Sequence, residues 1–276
     1  MSYVEELFGL SEVRAVVTGG AGVLPKAMAT TLAKAGASVS IWGRGTSHPV
    51  QEAVDDITKE VAAAGGGGKV VGQTIDTADE PGVVTAFAAT TEAIGMPNLL
   101  VNGVGGNKGK SPFVDIDIET FSEVLDMNLL GGLVVPTKVF AKRWIDEGVK
   151  GTIINVASMT SYVPLSGVWA YTAAKSAVLK LTEGAANEFA PSGIRVNAIA
   201  PGFFVGHQNR KLLIKNDETG ELTDRGQQII DRTPFGRFGV IGDLEGTTVF
   251  LASQEASGFL TGVCIPVDGG YLVDSI

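Results

Sequence analysis

Three residues in the second half of the chain have types and a spacing that suit acid–base chemistry. Ser158 follows an apolar, β-branched run, and Tyr171 and Lys175 come later, four residues apart. Residues four apart share one face of a helix, so the phenol and the ammonium point into the same space. The pKa of a free tyrosine is about 10, and we expect Lys175 to lower that of Tyr171 toward the range of a general acid. A serine at a strand end could polarise a carbonyl oxygen beside them.

A glycine-rich turn near the N-terminus predicts a second component of the site. An apolar strand pattern is followed by T-G-G-A-G-V-L-P, from Thr18 to Pro25, and then by a helix pattern. Glycines let a diphosphate approach the main chain and a helix N-terminus offers free N–H groups, so the turn predicts a dinucleotide site. The residues expected to contact the phosphates are Gly19, Gly20, Gly22, Val23 and Leu24.

Pro25 stands where the usual G-x-G-x-x-G pattern has its third glycine. A proline in the first helical turn loses no needed N–H, and its fixed φ suits the helix, so we expect the turn to keep its shape. Any glycine-rich strand–helix connection looks similar, and a Tyr-x-x-x-Lys pair alone is common on solvated helix faces. The two patterns together, with a serine at the end of a strand, favour chemistry over coincidence.

The second predicted strand is followed by Arg44 and has no acidic residue at its end. A site for NAD usually places Asp or Glu here, on the ribose 2′-hydroxyl, whereas an arginine can pair with the 2′-phosphate of NADP. Arg44 therefore favours NADP over NAD, although a solvated arginine in a turn is equally typical of this position.

The elements that position these residues follow from an alternation along the whole chain. Short apolar runs lie at Arg14–Thr18, Ser38–Trp42, Val70–Ile75, Leu99–Asn102, Thr152–Ala157, Arg195–Ala200 and Val263–Val267. Helix patterns lie at Lys26–Ala35, Val50–Ala64, Val83–Ile94, Glu119–Ile145, Tyr171–Phe189 and Asp243–Ser253. Apolar strands in repeated β-α-β units are typical of a parallel sheet with helices on both faces. The sequence thus predicts an α/β fold, a single Rossmann-type domain over 1–276 with a doubly wound parallel sheet of about seven strands.

The segment Phe203–Phe238 interrupts this alternation, because it is polar and mixed in charge. A long insertion between a strand and the next sheet-packing helix is typical of a lid or substrate-binding loop, although a plain surface excursion has the same composition. The run Gly65–Gly68 is expected to end a helix rather than a domain.

Composition limits the partners. The chain has 276 residues, a net charge of −9 and one cysteine, Cys264. An acidic protein repels nucleic acid and anionic membranes, so we expect neither as a partner. A lone cysteine forms no internal disulfide, and no Cys/His cluster predicts a metal site. The N-terminus lacks a secretion signal and no apolar run reaches the ~18 residues of a membrane span, so we expect a cytoplasmic protein.

With these motifs in this order, the chain resembles the short-chain dehydrogenase/reductase family nearly end to end. The matching positions are Asp76, the turn Asn102-Gly103-Val104-Gly105, Asn128, Ser158, Tyr171, Lys175, Pro201-Gly202 and Val267–Gly270. The family pattern T-G-x-x-x-G-x-G is changed here to T-G-G-A-G-V-L-P, and the threonine often found after Pro201-Gly202 is absent.

The resemblance implies an NAD(P)-dependent enzyme that transfers a hydride between nicotinamide and a carbonyl or secondary alcohol. It implies that Tyr171 is the general acid, that Ser158 orients the carbonyl and that Lys175 supports the phenolate and the nicotinamide ribose. Asn128 is implied to hold a water between Lys175 and solvent, and Asp76 to contact adenine. Asn102 and Gly103, Pro201 and Gly202 are implied to line the cofactor site, and family members are commonly tetramers or dimers.

A narrower resemblance, to D-mannonate oxidoreductases and fructuronate reductases, implies a sugar-acid substrate. Cationic or amide side chains would suit its carboxylate. The candidates are Asn107, Lys108, His207, Gln208, Asn209 and Arg210, with Arg210 first and Lys108 second as carboxylate partners. Two alternatives stay open: a 3-oxoacyl thioester reductase, which an acidic chain suits poorly, and a non-catalytic nucleotide-binding regulator, which usually lacks the tyrosine or the lysine.

Overall fold

Seven strands form one parallel sheet in the computed structural model, which describes residues 2–46, 48–206 and 210–274. The strands are β1 (Arg14–Thr18), β2 (Ser38–Gly43), β3 (Val70–Thr74), β4 (Leu99–Asn102), β5 (Thr152–Val156), β6 (Arg195–Pro201) and β7 (Cys264–Val267). Their order is β3-β2-β1-β4-β5-β6-β7, with every neighbouring pair parallel. The order reverses between β1 and β4, the point at which a doubly wound sheet opens a crevice for ligands at its carboxyl edge.

The helices connect these strands and cover both faces of the sheet. They are α1 (Tyr3–Phe8), α2 (Val23–Lys34), α3 (Val50–Ala63), α4 (Glu80–Ile94), α5 (Ile118–Leu125), α6 (Val135–Glu147), α7 (Trp169–Phe189), α8 (Arg210–Leu213), α9 (Asp224–Asp231), α10 (Glu245–Ala252) and α11 (Gln254–Ser257). A π-helical segment, Asp126–Val134, joins α5 to α6 without a break. Short 3₁₀ turns lie at Phe113–Asp115, Met159–Ser161, Ala190–Ser192, Ile241–Leu244 and Tyr271–Val273.

Two apolar layers hold the helices against the sheet. On one face, α2, α3 and α10 bury side chains such as Leu32, Ile57 and Leu251. On the other face, α4 and α6 bury aromatic side chains, among them Phe87 and Phe140. The centroids of these two rings are 4.8 Å apart, and the rings pack edge to face. The predicted fold class is therefore confirmed, and burial on both faces explains why the central strands are mostly apolar.

The boundaries agree closely with the sequence pattern, and the main differences have local causes. Helix α2 begins at Val23 rather than Lys26, because Gly22 is already its N-cap residue. The predicted helix Glu119–Ile145 is continuous but includes the π segment, which periodicity alone does not reveal. Helix α3 ends at Ala63, and Gly65 follows with φ of 71°, as expected for a helix end in the glycine run.

The stretch Ile118–Glu147 requires a correction to the expectation about membrane-length segments. It is long and apolar enough to cross a bilayer by length and composition. More than half of its most apolar window is buried inside the protein, and Phe140 and Trp144 belong to the core. Helices that are buried among other elements meet the same criterion, so this one is explained as a core helix.

The segment Phe203–Phe238 has its own local structure. It contains α8 and α9, and Thr223 caps α9 by accepting a hydrogen bond from the N–H of Gly226. Phe204 pairs with Gly239 in an isolated bridge, so the segment starts and ends at neighbouring points. Its role as a lid stays a prediction.

Candidate active site

The predicted acid–base residues converge beyond the end of β5. Ser158 lies two residues after this strand, and Tyr171 and Lys175 lie in the first two turns of α7. The exposed fractions of Ser158 and Lys175 are 7% and 4%, and Tyr171 is half-buried. The Lys175 Nζ lies 5.7 Å from the centroid of the Tyr171 ring. The i, i+4 spacing thus places the phenol and the ammonium side by side, as predicted.

Main-chain contacts hold these side chains in place. Ser158 caps the following 3₁₀ turn, where its Oγ accepts a hydrogen bond of 3.2 Å from the N–H of Thr160. Lys175 donates from Nζ to the carbonyl oxygen of Val156, at 2.7 Å. The Ser161 hydroxyl donates to the carbonyl of Lys175, at 2.6 Å, which ties α7 to the end of β5. A backbone carbonyl such as that of Val156 leaves no signal in the sequence, so this anchor could not be predicted.

Burial dominates the electrostatics of the pair. It lowers the pKa of Lys175 to about 8, because a buried ammonium loses its hydration. Burial also raises the pKa of Tyr171, while a hydrogen bond with the Ser158 side chain acts in the opposite direction. The expectation that Lys175 lowers the pKa of Tyr171 is therefore wrong for the chain by itself. The Lys175 ammonium is directed at the Val156 carbonyl, and burial keeps the pKa of Tyr171 above its ordinary value.

Asn128 lies in the π segment and faces the same space. Its exposed fraction is 1%, and its amide exchanges hydrogen bonds with Gly106: Oδ1 accepts from N–H at 3.1 Å and Nδ2 donates to the carbonyl at 2.8 Å. A Cβ on Gly105 would lie 2.7 Å from the Asn128 Oδ1 and 3.1 Å from the Lys175 Nζ. Gly105 therefore keeps open the space between the two polar groups. A water in that space stays a prediction.

The residues of the glycine turn have different structural roles. Gly19 adopts φ of 66° and passes the backbone of Gly103 so closely that a Cβ would lie 3.0 Å from its carbonyl oxygen. The N–H groups of Gly20 and Gly22 are used within the protein, on the carbonyls of Trp42 and Gly19 at 3.2 and 2.8 Å. As the first two residues of α2, Val23 and Leu24 have N–H groups without intrahelical acceptors.

Pro25 is the third residue of α2, and its side chain is buried. The first four N–H groups of a helix have no intrahelical acceptor, so this proline removes no helical hydrogen bond. A Cβ on Gly103 would lie 2.7 Å from Cγ of Pro25. The close packing that a third glycine would allow is thus obtained from the other side, by a glycine at the end of β4.

Asn102 and its neighbours form a buried polar chain across the end of the sheet. The Asn102 Nδ2 donates to Thr137 at 2.9 Å and to the Asn155 Oδ1 at 2.8 Å, and Asn155 donates to Thr182 at 2.9 Å. The exposed fraction of Asn102 is 2%, so its side chain supports the strand ends. The N–H of Gly103 donates to the Thr18 hydroxyl at 3.0 Å, which joins β4 to the glycine turn.

Arg44 and Asp76 lie together after the ends of β2 and β3. The Arg44 Nη1 is 3.9 Å from the Asp76 Oδ2, and both side chains are more than half exposed. Asp76 also accepts a hydrogen bond from the N–H of Ala78, at 3.0 Å. Arg44, expected at the 2′-phosphate, and Asp76, expected at the adenine, are thus neighbours at one corner of the sheet edge.

Gly202, at the end of β6, approaches the chain after β7. Its N–H donates to the Val267 carbonyl at 3.0 Å, and a Cβ would lie 2.7 Å from Cα of Asp268. Pro201 is buried as the last residue of β6. These contacts account for the small residue at this turn.

The substrate candidates within the described residues are held by contacts of their own. Lys108 forms an ion pair with Glu123 at 2.8 Å, and Arg210 forms one with Asp217 at 2.7 Å. Asn107 donates to the carbonyl of Gly109 at 2.6 Å. His207, Gln208 and Asn209 lie outside the described residues. Both predicted carboxylate partners are therefore already paired with carboxylates of the protein.

Comparisons with known proteins agree with this geometry. A family model described as enoyl-(acyl carrier protein) reductase matches residues 22–272. The uncharacterized oxidoreductase UxuB of Bacillus subtilis is 40% identical over an aligned length of 276 residues that covers 95% of each chain. A 2-dehydro-3-deoxy-D-gluconate 5-dehydrogenase of Formosa agariphila is 32% identical over 267 residues, covering 97% of this chain and 95% of that protein.

Two solved structures are similar over almost the whole length. One, from Haemophilus influenzae with bound NAD, is provisionally described as a D-mannonate oxidoreductase; it has a TM-score of 0.86 and 33% identity over 99% of both chains. The other, from Agrobacterium tumefaciens with bound NADP, is provisionally described as a 2-deoxy-D-gluconate 3-dehydrogenase; it has a TM-score of 0.82 and 34% identity, covering 97% of this chain and 99% of that chain. The chain belongs to the short-chain dehydrogenase/reductase family and is an NAD(P)-dependent oxidoreductase that acts on CH–OH groups.

Proposed function

We propose that this protein interconverts a secondary alcohol and a carbonyl group of an open-chain sugar acid of the fructuronate/mannonate type. The observation that carries the reaction is the convergence of Ser158, Tyr171 and Lys175 beyond the end of β5. The substrate class is supported by similarity to proteins described as acting on gluconate derivatives and D-mannonate.

The residues at the sheet edge fit a dinucleotide. The turn after β1 brings the main chain close to the surface, and the first N–H groups of α2 can bind a diphosphate. Arg44 and Asp76 stand at the corner where the adenosine would bind, and Gly103 and Gly202 leave room along the edge. When bound, the nicotinamide donates a hydride in reduction and accepts one in oxidation.

Side chains of the protein itself would transfer the proton. In reduction, Tyr171 donates its phenolic proton to the carbonyl oxygen of the substrate, and Ser158 donates a hydrogen bond that orients this oxygen. In oxidation, the Tyr171 phenolate accepts the proton of the alcohol. Lys175 would hold the nicotinamide ribose and, by exchanging the Val156 carbonyl for the phenolate oxygen, would stabilise that phenolate in the loaded enzyme. A water beside Asn128 and Gly105 returns the proton to solvent.

We also propose the cofactor and the assembly. Arg44 favours NADP by pairing with the 2′-phosphate, which requires it to exchange its partner Asp76 for the ligand. The segment Phe203–Phe238 closes over the substrate. A cytoplasmic homo-oligomer pairs through the long helices around the active site, where Leu130, Val134 and Leu181 expose apolar side chains.

A nicotinamide absorbance assay tests the reaction and the substrate class together. NADH and NADPH are offered in parallel with keto-uronates, aldonates in the oxidative direction, simple sugars and 3-oxoacyl thioesters. We expect a keto-uronate or an aldonate to give the highest kcat/KM. A 3-oxoacyl thioester that outperforms every sugar acid would overturn the substrate proposal, and no turnover with any member would overturn the proposed reaction.

A further inference from the structure

A cavity of about 210 Å³ lies between the loop after β4 and the start of α7. Its lining comes from the loop after β4, the start of α5 and the loop before α7. Ala170 lines it, and Tyr171 is the next residue; Asn107 lines it, two residues after Gly105. The cavity is therefore lined by chain neighbours of Tyr171 and of Gly105, the glycine beside Asn128 and Lys175.

The two loops that line the cavity are joined to each other. The N–H of Ser111 donates to the carbonyl of Gly167 at 3.2 Å, and the Trp169 indole donates to the carbonyl of Ser111 at 3.0 Å. The rings of Phe113 and Trp169 pack edge to face at 5.4 Å. These contacts fix the position of the β4 loop relative to the N-terminus of α7.

Lys110 lies at this junction, and its alkyl chain rests on Gly167. A Cβ on Gly167 would lie 2.5 Å from Cγ and 2.7 Å from Cε of Lys110. Gly167 also adopts φ of 84°, a conformation that favours glycine. The missing side chain thus leaves a notch in which the lysine stem lies, and Lys110 lines the cavity.

Lys110 differs from Lys108 and Arg210 in having no carboxylate partner among the described residues. Lys108 and Arg210 are paired with Glu123 and Asp217, whereas Lys110 has no ion pair within the described ranges of the chain. Its ammonium can therefore bind an anion without first leaving a carboxylate of the protein.

The other charges of the cavity define the kind of anion. Asp115 and Asp117 line the same space, and Asp117 accepts a hydrogen bond of 2.7 Å from the N–H of Thr120. Carboxylate oxygens accept hydrogen bonds from hydroxyl groups but repel a second anion. Lys108 also lines this space but is paired with Glu123, which leaves Lys110 as the cation without an ion pair among the described residues. One such cation with two nearby carboxylates suits a ligand that carries one carboxylate and several hydroxyl groups.

We propose that Lys110 binds the substrate carboxylate and thereby determines specificity for sugar acids, with Gly167 as its positioning residue. This assignment rests on the proposed function. It also replaces Arg210 and Lys108 as first choice, because both are already neutralised.

The test compares Lys110→Met with the wild type on two substrates. One is a sugar acid that the wild type turns over, and the other is the uncharged sugar with the same configuration at the reacting carbon. Methionine keeps the stem against Gly167 and removes the charge. We expect KM for the acid to rise about tenfold or more, with kcat and the KM for cofactor and for the uncharged sugar unchanged.

Three further variants sharpen the result. Lys110→Arg should restore much of the affinity, and Gly167→Ala should raise KM for the acid by displacing the lysine stem. Lys142→Met, on the exposed surface of α6 and paired with Asp146, controls for loss of a surface lysine. A KM for the acid that is unchanged in Lys110→Met, or that rises equally for both sugars, would overturn the assignment of Lys110 alone. Absence of wild-type turnover with any sugar acid would instead overturn the proposed function, and the Lys110 assignment with it.

Discussion

The proposed catalytic residues and the exposed cations Lys108 and Arg210 are held by different kinds of contact. Asn128, Ser158 and Lys175 are at most 7% exposed, and each is hydrogen-bonded to main-chain atoms. By contrast, the side chains of Lys108 and Arg210 are 54% and 46% exposed and are held by other side chains. Buried groups with main-chain partners keep one geometry, whereas exposed ion pairs contribute little energy and exchange partners easily. The core therefore fixes the geometry of the proposed catalytic groups, whereas the exposed cations can change partners.

Removal of the proposed acid, Tyr171, should have the largest effect. Tyr171→Phe keeps the packing of the ring and removes the proton donor, so turnover should fall by about a hundredfold or more, with cofactor binding little changed. Stopped-flow absorbance and cofactor titration measure the two quantities. Tyr162→Phe is the matched control, because Tyr162 is exposed and its hydroxyl donates to the main-chain carbonyl of Cys264. Equal rates in Tyr171→Phe and wild type would remove Tyr171 from the mechanism.

Gly105→Ala should disturb the same centre without removing any catalytic group. The new Cβ would meet the Asn128 Oδ1 at 2.7 Å and the Lys175 Nζ at 3.1 Å. Displacement of positioned groups by about an ångström typically costs up to a hundredfold, so we expect kcat to fall by about ten- to a hundredfold. Gly184→Ala, in α7 with nothing within 4 Å of the new Cβ, should leave kcat unchanged. A fully active Gly105→Ala enzyme would show that this space is not used.

At the exposed corner of the cofactor site, we expect a smaller and selective effect. Arg44→Ala should weaken NADPH about tenfold, because a charge-assisted hydrogen bond to the 2′-phosphate is lost, and should leave NADH nearly unaffected. Dissociation constants for both cofactors, measured by fluorescence titration at one salt concentration, make the comparison. Equal loss for the two cofactors would show that Arg44 does not read the 2′-phosphate.

The smallest effect on function is expected at Pro25. Pro25→Gly leaves the N–H donors of Val23 and Leu24 in place, so cofactor affinity should stay within a few-fold. The free energy of unfolding should fall by about 1 kcal/mol, because the unfolded chain gains freedom and the contact with Gly103 is lost. Thermal denaturation and cofactor titration test this pair of expectations. A large gain in affinity would mean that the proline distorts the turn.

The same division explains what could be predicted from the sequence. Periodicity and spacing predict the fold, the Tyr171–Lys175 pair and Ser158. These patterns are readable because burial restricts which residue types can occupy each position. The Val156 carbonyl that holds Lys175 could not be predicted, because a main-chain group has no residue signature. The packing of Pro25 against Gly103 joins residues far apart in the chain, and only the fold shows it. Arg210 and Lys108 are cations that could bind a carboxylate. The sequence does not reveal that each already forms an ion pair with an acidic residue of the protein.

The most direct test of the central claim, that Tyr171 is the acid and base of the reaction, is the pH dependence of alcohol oxidation in a single turnover with cofactor already bound. Burial raises the pKa of Tyr171, so its phenolate is scarce at neutral pH and becomes more abundant as pH rises. We predict that the oxidation rate of the wild type increases with pH from about 7 to 10, since the base is the deprotonated form. An oxidation rate that is flat or falls over that range would contradict the assignment of Tyr171.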